Sequence, residues 1–128
     1  MRALVDTHVL LWWLKDDERL SATARDVLAD GDNHLLWSMA SSWEIAVKAR
    51  TGKLRLGRPI ERLFGEIVGG QGLEILPITH EHCGRVARLP LHHRDPFDRM
   101  LVAQANQEKV PIVSADRKLD QYRVETLW

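Results

Sequence analysis

Short apolar runs recur along this chain, separated by longer stretches that carry helix caps and turn residues. Ala3-Leu4-Val5 comes first, followed by His34-Leu35-Leu36-Trp37, Leu73–Leu76 and Val110–Val113, with the more mixed segment Arg123–Leu127 as a candidate fifth strand. Continuous apolar runs of this length suit strands buried on both faces. Helices fill the intervals. His8 to Trp13 carries large apolar groups behind the polar pair Asp6-Thr7. Ser21-Ala22-Thr23-Ala24 opens a second helix, which closes at the turn cluster Asp30-Gly31-Asp32-Asn33. Ser38 or Ser41 caps a third helix that runs to about Arg50 and is stopped by Gly52. Ile60 to Val68 forms a fourth, and Thr79 caps a fifth reaching about Arg88. Asp95-Pro96 opens a sixth, with Asp at the cap and Pro at the first helical position, and this helix reaches about Gln107.

Strands alternating with helices predict an α/β chain whose parallel sheet is covered on both faces. Folds of this kind place their sites at the carboxyl ends of the strands. The 128 residues suit a single domain spanning 1–128, and an apolar fraction of 45% is too high for disorder. Eighteen basic residues balance 18 acidic ones, so global charge selects neither nucleic acid nor membrane, and any such surface must be local. Cys83 is the one cysteine, which excludes an intrachain disulfide, fits a reducing cytoplasm, and reads as a small buried residue. No apolar stretch is long enough to span a bilayer, and Asp6 and His8 interrupt the one at the start, so neither a membrane span nor a secretory signal is expected.

Four acids stand where this alternation would bring them to one edge of the sheet. Asp6 and Asp116 fall at or just past strand ends; Glu44 and Asp98 fall in the first turns of helices. Gathered carboxylates repel, so one must take up a proton or a cation must enter. An all-oxygen set suits Mg²⁺ or Mn²⁺ rather than zinc. Each acid also has a structural reading. Asp6 can cap the first helix. Glu44 follows Ser41 at capping-box spacing. Asp98 can be an acidic first-turn residue behind the cap Asp95. Asp116 ends a Ser-Ala-Asp turn. Thr7 and Ser114 can orient carboxylates or simply cap.

The remaining chemistry is weaker. Lys48, Arg50, Lys53, Arg55 and Arg58 crowd a segment free of acids, which reads either as a phosphate-tracking stripe or as a solvated helix end. Arg94 and Arg99 flank Asp98 and can touch phosphate or, for Arg99 above all, pair with the acids. His80, His82 and Cys83 lack a second cysteine and a His-Glu-x-x-His spacing, and with His92 and His93 they read as surface histidines. Gly69-Gly70-Gln71-Gly72 follows a helix and lacks Gly-Lys-Ser/Thr, so it is no phosphate loop. Trp12 and Trp13 lie about 100° apart on one helix, so one of them is expected at an interface.

The segments LVDTHVLLWW, SSWEIAVKARTGKL, LPLHHRDPFDRMLVAQA and VPIVSAD, in this order, resemble the PIN domain family and within it the VapC-type toxin ribonucleases of toxin–antitoxin pairs. The resemblance covers nearly the whole chain. It implies a PIN-like three-layer α/β/α sandwich with a central, mostly parallel sheet of about four or five strands. It implies an endoribonuclease in which Asp6, Glu44, Asp98 and Asp116 hold Mg²⁺ or Mn²⁺, with Asp95 as the structural partner of Asp98. It also implies an RNA substrate, a homodimer and a cognate antitoxin that lays a helix or extended tail into a groove near the site. Two alternatives stay open on the residues alone: a nuclease of this fold that processes RNA without an antitoxin, and a non-catalytic α/β binding protein whose acids only cap helices.

Overall fold

The computed structural model describes residues 1–128. In chain order its elements are β1 (Arg2–Val5), α1 (Thr7–Leu14), α2 (Ala22–Ala29), β2 (His34–Ser38), α3 (Met39–Arg50), α4 (Ile60–Gly69), β3 (Glu74–Leu76), α5 (His80–Arg88), α6 (Pro96–Glu108), β4 (Ile112–Val113) and β5 (Thr126–Leu127). A 3₁₀ turn over Arg117–Gln121, not foreseen from the sequence, links the last two strands. All five strands pair in parallel, in the order β3-β2-β1-β4-β5. The three-layer parallel architecture expected from the alternation is therefore present.

Successive side chains of a strand point to opposite faces, and the sheet uses both. Leu4 stands beside Leu36 and Ile112 in register, and these pack with Leu101, Val102 and Ala105 of α6. Ala3, Val5, Leu35, Trp37 and Val113 face the other way, against α1, α2, α4 and Ile45 of α3. α5 packs alongside α6. β1 is the central strand. The chain adds β2 and β3 to one side of it and later returns to place β4 and β5 on the other. The switch between β1 and β4 leaves a crevice at their carboxyl ends, where neighbouring connections diverge.

Two caps position the helices around that crevice. Ser38 caps α3, its Oγ accepting from the Ala40 N–H at 3.0 Å, and Ser41 lies inside the helix. Asp95 caps α6, its Oδ1 accepting from the N–H groups of Phe97 and Asp98 at 2.8 and 3.1 Å. Gln104, fully buried on α6, accepts from the Ser38 hydroxyl at 2.5 Å and donates to the Pro77 carbonyl at 3.3 Å. It ties α6 to the carboxyl ends of β2 and β3. Gly52, at φ +78°, takes the chain out of α3 through a conformation that costs a side-chain-bearing residue energy.

Two expectations are revised. Cys83 is exposed rather than buried. Because Ser38 is the cap, Ser41 and Glu44 do not form a capping box. Trp12 and Trp13 do diverge: Trp13 donates its Nε1–H to Gln71 at 3.0 Å and packs on the core, while Trp12, half-buried, packs 5.8 Å from Trp128 and under the Arg19 guanidinium. No helix is long and apolar enough to cross a membrane.

Leu36 is 1% exposed between β1 and α6, so Leu36→Ala is expected to cost about 2–5 kcal/mol, read as a lower urea midpoint with an unchanged slope.

Candidate metal centre

A cavity of about 360 Å³ opens at the carboxyl ends of β1 and β4, and Asp6, Glu44, Asp95, Asp98 and Asp116 all line it. Residues up to 110 positions apart in sequence meet there because the strand ends and helix starts that carry Asp6, Asp95, Asp98 and Asp116 lie on one edge of the sheet, which Glu44 reaches from the second turn of α3.

Asp6 ends β1 and caps α1. Its Oδ1 accepts from the Thr7 N–H at 2.7 Å and its Oδ2 from the Ser114 hydroxyl at 2.6 Å. Ser114 follows β4, so this bond ties the two strand ends across the switch point. Ser114 Oγ also accepts from the Asp116 N–H at 3.0 Å, which fixes the turn that carries Asp116. Glu44 is buried. The Thr7 hydroxyl donates to its Oε1 at 2.6 Å, and Lys48, one turn on, pairs with its Oε2. Thr7 spends its single proton on Glu44, so the 2.8 Å bond between Thr7 Oγ1 and Ser41 Oγ uses the Ser41 proton. Thr7 and Ser114 therefore hold carboxylates in place.

Asp98 and Asp95 are separated by what they touch. One Asp95 oxygen is occupied by the start of α6, whereas Asp98 Oδ2 lies 2.9 Å from His93 Nε2. Asp116 caps the 3₁₀ turn through Oδ1, and its Oδ2 stands 3.6 Å from the same His93 nitrogen.

The electrostatics are those of crowded acids in a partly dry cleft. Burial pushes the Asp98 carboxyl up to about 8, helped by the charges of Asp6, Asp95, Glu44 and Asp116. Burial also raises Asp6, against the hydrogen bond from Ser114 and the N–H of Thr7. Burial works against the Lys48 charge, but Glu44 outweighs it, with Asp95 and Asp98 behind, and the ammonium is held above its ordinary pKa. The donor set is dominated by hard oxygen and holds more negative charge than Lys48 can neutralise. A divalent cation with oxygen preference fits it.

The basic residues fare unevenly. Lys48 lines the cavity, with its ammonium 5.9 Å from the Phe97 ring centre. Arg50, Lys53, Arg55 and Arg94 are exposed outside it. Arg99 neither pairs with the acids nor faces solvent. Its guanidinium is buried and donates to the carbonyls of Pro90, Val86 and Leu89 and to the Tyr122 hydroxyl, at 2.8 to 3.3 Å. Helical geometry explains this, since Arg99 is one position past Asp98 and so about 100° around α6. Three titratable cavity residues went unrecognised in the sequence, His8, His93 and Lys118. Read as a surface histidine, His93 is largely buried; no motif spacing announces it, and only its place in the connector entering α6 could have.

The PIN domain model matches residues 3–125. The chain belongs to the PIN domain family. Among PIN proteins, Ribonuclease VapC22 of Mycobacterium tuberculosis is 29% identical over 122 residues, or 94% of this chain and 91% of its own. The structure of VapBC2 from Rickettsia felis, bound to a promoter DNA fragment, matches with a TM-score of 0.71 at 12% identity, covering 98% of this chain and 97% of that one. FitAcB from Neisseria gonorrhoeae matches with a TM-score of 0.68 at 20% identity, covering 98% and 96%. A toxin–antitoxin complex from Klebsiella pneumoniae matches with a TM-score of 0.62 at 17% identity, covering 94% and 92%. At those identities the structures establish a shared fold, and the PIN fold accounts for the sheet order and the crevice at its switch point.

The metal-free PIN chain should show the cost of this crowding. Folded Asp98 keeps its proton up to about pH 8, while the unfolded chain releases it near the ordinary value of 3.8. Stability tied to that proton is fully present below about pH 4 and lost as pH rises through about 8. In EDTA, the unfolding free energy is expected to fall across this window. Asp98→Asn, which cannot ionise, is expected to flatten the fall and to melt above the parent at pH 8, as followed by circular dichroism.

Proposed function

We propose that residues 1–128 act as one metal-dependent endoribonuclease domain, the toxin of a toxin–antitoxin pair. The observation that carries this reading is the convergence of Asp6, Glu44, Asp98 and Asp116 from four separate segments on one cavity with excess negative charge. Relationship to Ribonuclease VapC22 supports RNA as the substrate, and the likeness to toxin–antitoxin complexes supports the partner. A set of carboxylates serving only as caps would not need Glu44, whose oxygens accept from Thr7 and Lys48 instead of an N-terminal N–H.

In this reading Asp6, Glu44, Asp98 and Asp116 hold Mg²⁺ or Mn²⁺. When bound, the cation supplies positive charge to offset the charge that develops on the scissile phosphate, and it acidifies the attacking water. The chain's own groups do the rest. Thr7 and Ser114 keep Glu44 and Asp6 aimed into the cleft. One of the four carboxylates takes the proton of the attacking water. Lys48 and Lys118, at the cavity, meet substrate phosphates, and exposed Arg50, Lys53, Arg55 and Arg94 extend the positive surface. Arg99 is withdrawn from this set because its donors are spent on the connector. The chain acts in the cytoplasm as a homodimer, held inactive by an antitoxin segment seated near the acids.

Purified chain, free of partner, is expected to cut RNA with Mg²⁺ or Mn²⁺ and not with EDTA. Asp6→Asn and Asp98→Asn should each lose more than the roughly 10–100-fold typical of removing an outer partner of a metal site. Folded protein that neither cuts RNA nor gains melting temperature with Mn²⁺ would leave the acids as caps and the chain as a binding protein.

A further inference from the structure

His93 is the side chain at the centre of the cleft whose role the four carboxylates do not explain. It lies in the connector between α5 and α6, and its side chain is 13% exposed. Its backbone N–H donates to the Tyr122 hydroxyl at 3.0 Å, and Arg99 holds the same hydroxyl and the carbonyls of Leu89 and Pro90. The loop is thus fixed from beneath. On the ring, Nε2 reaches both Asp98 Oδ2, at 2.9 Å, and Asp116 Oδ2, at 3.6 Å.

By residue type, one histidine and two carboxylates in mutual reach would make a ligand set. The other ring nitrogen argues against ligation by His93. The Asp95 backbone N–H points at Nδ1, 3.3 Å away, and a backbone N–H can only donate. Nδ1 therefore presents its lone pair, and the single proton of the neutral ring sits on Nε2. Ligation through Nε2 would move that proton to Nδ1, directly against the Asp95 N–H. What Nε2 offers the acids is a donor.

We propose that His93 is a positioning residue: its protonated Nε2 edge, set beside one oxygen of Asp98 and one of Asp116, offsets their repulsion and keeps the two acids near one another to receive the cation, and the ring is not itself a ligand. The two acids come from unconnected elements, the first turn of α6 and the turn after β4, and once both are ionised, as a cation would require, their charges repel. The partial positive charge of a neutral Nε2–H edge beside both oxygens offsets that repulsion without filling the cation's place. Asp95 then serves both helix and site, with its side chain capping α6 and its backbone N–H selecting the tautomer.

This inference rests on the metal reading above, and its test separates the two. Mn²⁺ affinity of the full chain would be measured by calorimetry for the parent, His93→Ala, His93→Gln and Asp6→Asn, and the parent's bound Mn²⁺ examined by pulsed electron paramagnetic resonance for coupling to imidazole ¹⁴N. Expected are a roughly 10–100-fold weaker Kd in His93→Ala, recovery of most of that loss in His93→Gln, which keeps an N–H donor, and no directly bound imidazole nitrogen. Direct ¹⁴N coupling in a parent that binds Mn²⁺, lost in folded His93→Gln and so not from His8 in the same cavity, would overturn the positioning role and leave the metal reading intact. Unchanged affinity in folded His93→Ala, or no recovery in folded His93→Gln, would do the same. A parent that binds no Mn²⁺, or binds it as Asp6→Asn does, would sink the metal reading and this one with it. The resonance measurement uses the unaltered chain, so absence of direct ¹⁴N coupling there excludes ligation by His93 even if a variant does not fold.

Discussion

Repulsion among carboxylates at the carboxyl edge of β1 is the constraint on which the arrangement of this protein turns. Five acids line one cleft, and burial there drives Asp98 up to about 8. A structure tolerates such a group only if each member is held by donors or matched by positive charge. Asp6 has Ser114 and the N–H of Thr7, Glu44 has Thr7 and Lys48, Asp95 has the start of α6, Asp116 has the N–H of Lys118, and the His93 ring stands beside Asp98 and Asp116. No buried side-chain polar atom is left without a partner. The charge that remains is what a divalent cation would relieve.

The fold supplies this cleft through topology. A parallel sheet sends every strand's carboxyl end to one edge, and the reversal of strand order beside β1 opens a gap there. The bond between Ser114 and Asp6 spans that gap, and Gln104 anchors α6 to the ends of β2 and β3. Packing on the two faces of the sheet therefore fixes the site's geometry: α6 cannot shift against Leu4, Leu36 and Ile112 without moving Asp98. Arg99 continues this logic on the far side of α6, where a buried guanidinium pins the loop that carries His93.

The positive side chains show the same division between element and neighbour. Lys48 and Arg50 share one helix end, yet Lys48 turns back onto Glu44 while Arg50 remains exposed. Arg99 adjoins Asp98 in sequence and points elsewhere. Proximity along a helix is a poor guide to shared chemistry, because neighbouring residues project about 100° apart.

Local rules were enough to read much of this from the sequence. Buried parallel strands leave apolar runs, so β1, β2 and β4 were legible, and the mixed segments around β3 and β5 less sharply so; β3, β4 and β5 proved shorter than the segments expected. Caps act within a few residues, so Ser21, Thr79 and Asp95 announced their helices. Asp6, Asp98 and Asp116 could be named because each sits at such a boundary. What the sequence left open was every choice that depends on a distant partner. Ser38 rather than Ser41 caps α3; Glu44 is freed from the helix start to meet Thr7, 37 residues away; Cys83 faces outward; and His93 enters the cleft between Asp98 and Asp116. Those outcomes follow from which surfaces the sheet brings together. Hydrogen bonds and burial across long stretches of chain exist only once the fold has formed, so no local pattern could encode them.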